Sequence, residues 1–247
     1  MIIDHVKHAR ENTLYAPDFE HDSCGVGFVA HVKGTPSRAI VVDACEILSR
    51  MEHRGACGCE AETGDGAGIL IGMPKSFMQD IAEINYFDLD CEFFGIGNVF
   101  LPTDERCRER AKRMFQDMTA NYGQQFVGWR EVPVDPAGAN IGATAIRAQP
   151  KILQAFIAPG EGIDQDEFER KLYLIRKRVS HEVREAGFDE RELFYVCSLS
   201  SRILVYKGML STAQLPLYYL DLQDETFTSH LAMVHSRFST NLSLIHI

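Results

Sequence analysis

The chain has 247 residues, of which 45% are hydrophobic and 24% charged, and its formal net charge is −10 at pH 7. This composition is typical of a soluble globular protein, and the acidic balance argues against a nucleic-acid surface. No apolar stretch is long enough to cross a bilayer, and residues 1–23 lack the apolar block of a secretory signal. We therefore expect a cytoplasmic protein with neither a membrane nor a nucleic acid among its partners.

The first half of the chain alternates short apolar runs with amphipathic segments, which predicts strands interleaved with helices. Strands are expected over 25–32, 69–71 and 95–100, and helices over 38–51, 74–84 and 104–122. A glycine-rich loop over 55–68 separates the first helix from the second strand. Pro74 suits the first turn of the helix that follows it.

The second half of the chain begins with a loop-rich stretch over 132–142. The clearest helix covers 166–186, where apolar residues recur at helical spacing and Gly187 is a natural stop. Strands are expected over 152–157, 193–199, 202–206 and 228–236. Because several strands lie at hairpin distance, antiparallel or mixed pairing is favoured over a doubly wound parallel sheet, in one layered domain.

The seven cysteines are odd in number and scattered, which favours reduced thiols over a disulfide framework. Cys57 and Cys59 are separated by one residue, which is too close for a zinc knuckle. No second Cys or His pair follows them at a suitable distance. We therefore expect no metal site.

The segment HDSCGVGFVA places Cys24 directly before an apolar strand. A cysteine in such a context is commonly a buried small residue, and that alternative stays open on this segment alone. The adjacent Gly25-x-Gly27 allows backbone or a ligand to approach closely. Cys24 is therefore a candidate nucleophile whose case depends on the other segments.

Two further segments carry chemistry. In MEHRGA, Arg54 and Gly55 lie at a helix end, where they could merely cap the helix. In HSRFSTN, Arg237 and the hydroxyl of Thr240 offer donors suited to a carboxylate, although a polar strand end is an equal alternative. The segment GDGAG at 64–68 has no following helix and no Lys-Ser/Thr pair, so it predicts a crowded turn and not a phosphate loop.

Taken together, CGVGFVA, MEHRGACGCEAETGDGAGILIGMP and HSRFSTN resemble the amino-terminal glutaminase domain of the glutamate synthase large chain. That domain is a class II glutamine amidotransferase of the amino-terminal-nucleophile type. The resemblance runs over about 22–241, nearly the whole chain. The HRGA and ETGDGAG sequences are particular to glutamate synthases within the class.

The resemblance implies an α+β fold, a four-layer αββα sandwich with antiparallel or mixed sheets, incomplete at its C-terminus. It divides the chain into a leader over 1–23 that is removed on maturation, a partial amidotransferase domain over 24–241 and an atypical tail over 242–247. The site residues that it implies are the nucleophile Cys24, the substrate-binding residues Arg237 and Thr240, and the supporting pair Arg54 and Gly55.

The implied reaction is attack of Cys24 on the side-chain amide of glutamine, release of ammonia and hydrolysis of the glutamyl thioester. The ammonia would pass to a synthase domain of the same full-length chain for reductive amination of 2-oxoglutarate. A small electron-transfer subunit or ferredoxin would be a further partner. FMN and an iron–sulfur cluster are expected in the remainder of such an enzyme, and no cofactor is expected in this chain.

The sequence departs from the family after HSRFSTN, where it reads LSLIHI and stops. The Asn-Gly pair that forms the family's oxyanion hole and an Asp that binds the substrate amine therefore have no counterpart. Loss of one oxyanion-hole donor typically costs about 10²–10³ in rate, so this fragment by itself is expected to be inactive. Missing strands would also leave apolar edges exposed.

Three alternatives stay open at this point. The first is another class II amidotransferase, against which the ETGDGAG segment argues. The second is a non-catalytic module that retains the fold, and the third is an unrelated cytoplasmic domain with a buried Cys24.

Overall fold

The computed structural model describes residues 25–54, 60 and 62–236. Eight strands form in this part of the chain and pair into two four-stranded sheets. They are β1 Gly25–Ala30, β2 Ala67–Gly72, β3 Gly95–Leu101, β4 Gln125–Glu131, β5 Lys151–Ala158, β6 Tyr195–Ser200, β7 Ile203–Gly208 and β8 Leu231–Ser236. The first sheet has the order β1-β8-β2-β7 and the second β4-β5-β3-β6, and all their paired strands run antiparallel.

Six α-helices lie in the described residues. They are α1 Arg38–Arg50, α2 Lys75–Ile84, α3 Glu105–Asn121, α4 Ala143–Arg147, α5 Gln165–Glu185 and α6 Gln214–Tyr218. Asp104 and Asp164 each accept a backbone N–H bond at the start of α3 and α5, as N-cap residues do. Gly187 adopts a positive φ of 65° just after α5, which confirms it as the stop of that helix.

Two apolar cores organise these elements. The first contains residues of α1, α2 and one face of each sheet, with Leu48, Ile69 and Phe156 fully buried. The second lies between α3, α5 and the opposite face of the second sheet, where the predicted inward face of α5 is buried throughout. This layered arrangement of antiparallel sheets and helices confirms the α+β prediction.

A buried polar network links the two sheets. Arg130 on β4 donates from both terminal nitrogens to the two carboxylate oxygens of Asp221, at 2.7 and 2.8 Å, and also to Gln154 at 2.6 Å. Tyr206 on β7 donates its hydroxyl to Asp221 at 2.7 Å and accepts a bond from Gln154 at 3.0 Å. Burial and the adjacent Asp221 raise the pKa of the Tyr206 phenol well above its usual range, so the phenol remains a donor.

Three elements are absent from the sequence-based prediction, namely β4, α4 and α6. The period-two pattern of β4 is interrupted because its register with β5 shifts between Phe126 and Gly128. Helices α4 and α6 are five residues each, too short to show a helical period. These elements depend on tertiary packing, and their local sequence has no strong periodic pattern that would predict them.

The outer face of the first sheet carries apolar side chains that remain accessible. Val26 and Phe28 on β1 are 63% and 62% exposed, and Met233, opposite Phe28 on β8, is 43% exposed. These side chains form an accessible apolar patch on the outer face of the first sheet. Among these residues, no helix has the length and apolar character needed to span a membrane.

Candidate active site

Most of the predicted site residues lie outside the described residues. These are Cys24, Gly55, Arg237 and Thr240. Arg54 closes a short 3-10 helix, Glu52–Arg54, but its side chain is also outside the description. The structure therefore defines the framework around the predicted site, through the residues that precede and follow these positions.

The strands that flank the predicted nucleophile and the predicted substrate-binding arginine end side by side. Gly25, the residue after Cys24, pairs with Ser236, the residue before Arg237. Ser236 also pairs with Ala67, and Ala67 pairs with Gly208. The four residues thus form a row across all four strands at one end of the first sheet, and we call this end the edge marked by Gly25. Sequence segments that lie more than 200 residues apart thus meet at neighbouring positions.

Helix α1 returns the chain to this same edge. Ser37 and Ser229 form a bridge at the far end of the sheet, where α1 begins. Near its C-terminus, Ile47 packs so closely on β1 that a Cβ at Gly27 would lie 2.3 Å from the Ile47 Cγ2 atom. Gly27 is therefore required for close helix–strand packing, and α1 leads into Glu52–Arg54 near the edge marked by Gly25.

The glycine-rich segment before β2 forms the crowded turn predicted from its sequence. A Cβ at Gly64 would lie 2.2 Å from the backbone nitrogen of Ser211, and Gly66 has a φ of 130° that other residues rarely adopt. No helix follows, because the chain enters β2 at Ala67. The interpretation of this segment as a turn is confirmed.

A histidine of the HSRFSTN segment occupies the space above Gly68. The His235 imidazole lies 2.2 Å, and Lys207 Cβ 2.9 Å, from the position that a Gly68 Cβ would take. Val26, His235, Gly68 and Lys207 form one cross-strand row, one residue inside the sheet edge. Burial, and then the positive charge of Lys207, lower the pKa of His235, which keeps its imidazole neutral near pH 7.

Substitution of Gly68 with alanine is expected to displace the His235 imidazole and to destabilise the fold. Because the new methyl group would overlap the ring and Lys207, we expect a loss of about 1–3 kcal/mol in the free energy of unfolding, measured in urea. Gly208→Ala is the matched control, since its added Cβ meets only the Leu210 side chain, at 3.3 Å. Equal losses in the two variants would contradict the close contact at Gly68.

The lowered pKa of His235 predicts a specific pH dependence of stability. The unfolded chain protonates this imidazole near its ordinary pKa of 6.5 while the folded protein resists protonation. Since the unfolded state then binds more protons, stability falls as pH decreases below about 6.5 and levels off below the folded-state pKa. His235→Asn should therefore gain stability relative to the native chain between pH 8 and pH 5 in urea unfolding. Parallel pH profiles of stability for the variant and the native chain would show that the pKa of His235 is unshifted on folding.

Glu60, which sequence reasoning did not single out, ties the glycine-rich segment to α4. Its carboxylate accepts bonds from the Thr63 hydroxyl at 2.7 Å and the Thr144 backbone N–H at 2.9 Å, and these bonds lower its pKa. An added Cβ at Gly142 would lie 2.2 Å from the same carboxylate. One acidic residue of the glycine-rich segment, Glu60, therefore caps the start of α4.

The four cysteines among the described residues, Cys45, Cys91, Cys107 and Cys197, carry free thiols. Burial is the largest cause of a raised pKa at each of them, and it raises the pKa of Cys197 to about 11. A thiol with a raised pKa is a poor nucleophile at neutral pH. None of these four is therefore a candidate for thiolate chemistry.

Comparison with known proteins identifies the family. A family model described as class II glutamine amidotransferases matches residues 24–243, beginning at Cys24. The chain belongs to this family. The match covers β1 through β8, so the edge where Gly25 meets Ser236 lies within an amidotransferase domain.

The amidotransferase domain is also similar to parts of much longer proteins. It is 42% identical over 240 residues to "Glutamate synthase [NADH]" of Saccharomyces cerevisiae, covering 92% of this chain and 11% of that protein. It is 41% identical over 230 residues to "Glutamate synthase [NADPH] large chain" of Bacillus subtilis, covering 92% of this chain and 15% of that protein. It is 41% identical over 225 residues to "Ferredoxin-dependent glutamate synthase, chloroplastic" of Oryza sativa, covering 91% and 14%. The chain thus spans about one seventh or less of their lengths, and the predicted resemblance to glutamate synthase large chains is confirmed.

Proposed function

We propose that this chain carries the glutaminase chemistry of a glutamate synthase, with Cys24 as the nucleophile. The observation that carries the proposal is the pairing of Gly25 with Ser236. Consecutive Cα atoms are about 3.8 Å apart, so Cys24 and Arg237 are each one residue from a directly paired position. Because the residues that flank the proposed nucleophile and the proposed carboxylate-binding guanidinium are paired, the arrangement suits a substrate as small as glutamine.

The proposed chemistry depends on a free amino terminus at Cys24. A thiol with a pKa of about 8.5 and an α-amine with one of about 7.7–8.0 both titrate near the working pH. The amine can therefore accept the thiol proton as the sulfur attacks the glutamine amide, and later deliver it to the departing ammonia. Hydrolysis of the thioester then releases glutamate. While Ser23 is attached, that nitrogen is an amide and has no useful basicity.

In this proposal Arg237 binds the α-carboxylate of glutamine and Thr240 belongs to the same pocket, while Arg54 and Gly55 support the nucleophile. The return of α1 to the edge marked by Gly25 is consistent with that supporting role. Ammonia would be used by a synthase domain for reductive amination of 2-oxoglutarate, with a small electron-transfer subunit or ferredoxin supplying electrons. The names of the similar proteins support this assignment over other class II amidotransferases.

FMN and an iron–sulfur cluster belong, in this proposal, to other parts of such an enzyme. Within residues 25–54, 60 and 62–236, no group of three or more His, Cys, Asp or Glu side chains is placed to hold a metal ion. Such a donor set is absent from this part of the chain, and the proposed glutaminase reaction uses neither group.

The proposal is tested by alkylating a chain that begins at Cys24 with a chloroketone analogue of glutamine. We expect one adduct per chain, located on Cys24 by peptide mass spectrometry, and protection by excess glutamine. Cys24→Ala should give no adduct, and Arg237→Ala should slow the reaction without affecting alkylation by iodoacetamide. Labelling of Cys45 or Cys197 at the same rate as Cys24, or no protection by glutamine, would favour the non-catalytic alternative.

Turnover by a polypeptide cut to residues 24–247 is expected to be slow even where Cys24 is reactive. Residues 237–247 of that polypeptide contain no Asn-Gly pair to stabilise the oxyanion, and loss of such a donor costs about 10²–10³ in rate. Ammonia release should therefore lag far behind alkylation, as measured by a coupled ammonia assay on the same sample. Release at several turnovers per second would contradict this.

A further inference from the structure

A cavity of about 290 Å³ opens beside the end of β7. It lies between the start of β6, the residues that follow β7 and the α4 region. Its wall is mainly apolar and aromatic, with Phe100, Ile152, Leu210, Tyr218 and Tyr219 among the lining residues. The last four side chains are 6% exposed or less, so the cavity extends from the surface into the protein interior.

A small set of polar groups accompanies this apolar wall. The Lys207 ammonium donates to the Tyr195 hydroxyl at 2.6 Å and lies 4.5 Å from the centre of the Tyr195 ring. Tyr218 is 5% exposed, and no bond to its hydroxyl is found within the described part of the chain. Burial raises the pKa of Tyr218 to about 12, so the hydroxyl keeps its proton and remains a donor. Glu192 also lines the cavity, from the exposed surface.

We propose that this cavity binds a small aromatic carboxylate. Ligand sites are largely apolar pockets with a few convergent polar groups, and their volumes begin near about 300 Å³, which suits a molecule of one or two rings. The ring would contact Leu210 and Tyr219, and the carboxylate would pair with the Lys207 ammonium. The Tyr218 hydroxyl would donate a hydrogen bond to the ligand.

This site is separate from the proposed glutamine site but shares an edge of the sheet with it. Gly208 is three strand positions from Gly25, which corresponds to about 14 Å at the usual strand spacing. Lys207 is also in the cross-strand row of His235, whose pKa its charge helps to lower. An anion bound at Lys207 would offset that charge and raise the pKa of His235. Ligand binding in this cavity is independent of the proposed glutaminase function.

The test uses indoleacetate, with neutral indoleacetamide as the matched ligand, followed by calorimetry and by NMR of the histidine side chains. We expect saturable binding of one indoleacetate per chain, about 10-fold or more tighter than indoleacetamide, because one partner of the ion pair is lost in the amide. Bound indoleacetate should raise the pKa of His235. Equal affinity for the two ligands, or no saturation, would overturn the proposal.

Variants locate the binding site. Ala148, which directly follows α4, lines the cavity from an exposed position, so Ala148→Trp should fill the cavity and abolish binding. Ala143 is exposed at the start of α4 and outside the lining, so Ala143→Trp should bind normally. Lys207→Met should weaken indoleacetate about 10-fold without weakening indoleacetamide, and Glu192→Gln should strengthen indoleacetate. Tyr218→Phe should weaken both ligands. Unchanged binding in Ala148→Trp would show that the ligand lies elsewhere, for example on the exposed face around Phe28.

Discussion

Removal of residues 1–23 is expected to raise the rate of Cys24 alkylation by a glutamine chloroketone at least about 10²-fold at neutral pH. The reason is the change of one nitrogen from an amide to an amine. Only the amine can accept the thiol proton, and general-base catalysis of this kind contributes about 10²–10⁴ in rate. The pH dependence should show an apparent pKa in the range of an α-amine, which is about 7.7–8.0 in unperturbed peptides.

The matched control is a chain that begins at Ser23, one residue earlier. It lacks residues 1–22, so any steric effect of those residues is relieved, yet the Cys24 nitrogen is still an amide. We expect it to react as slowly as the 247-residue chain in the same assay. Fast alkylation of the Ser23 form would show that residues 1–22 act by blocking access, and that the Cys24 amine is not the base.

Substitution of Asp221 with alanine is expected to destabilise the fold by about 3–5 kcal/mol, because it leaves the buried Arg130 guanidinium without its carboxylate. Arg130 and Asp221 are 9% and 2% exposed as side chains and are joined by two hydrogen bonds. The same change removes the acceptor of the Tyr206 hydroxyl. Such a loss is a large share of the about 5–15 kcal/mol that stabilises a typical domain.

A double-mutant cycle separates the ion pair from simple loss of packing. Arg130→Met removes the charge while keeping apolar bulk, so Asp221→Ala should cost clearly less in the Arg130→Met background than in the native chain. Glu131→Gln is the control on the same strand, since Glu131 is 71% exposed and lies 3.5 Å from Lys151. It should change the free energy of unfolding by less than about 1 kcal/mol. Additive effects of the two core substitutions would contradict the coupling.

Local sequence predicted the long elements well because their signals repeat. The inward face of α5 follows a helical period through Phe168, Leu172 and Ile175, and all three side chains are fully buried. Strand β4 escaped prediction because its register shift interrupts the alternation that marks a half-buried strand. A short element held by its neighbours has no comparable signal of its own.

The candidate site divides in a similar way. The sequence indicated Cys24, Arg54, Gly55, Arg237 and Thr240 through motifs, and it indicated the family through their combination. It did not indicate His235 or Glu60. His235 is notable only because Gly68, far away in sequence, leaves space for its ring, and Glu60 only because Thr144 lies beside it.

By itself, the sequence indicated the family through the resemblance of its motifs, predicted antiparallel or mixed pairing in one layered domain from the order and spacing of its elements, and suggested roles for Cys24 and Arg237 that stay proposals. Only the tertiary structure showed that the ends of β1 and β8 meet at one edge, and that the hydrogen bonds around the buried Arg130–Asp221 ion pair link two sheets. The tertiary structure also places a cavity beside Lys207. Each of these features joins residues distant along the chain, through strand register and packing that no local pattern encodes.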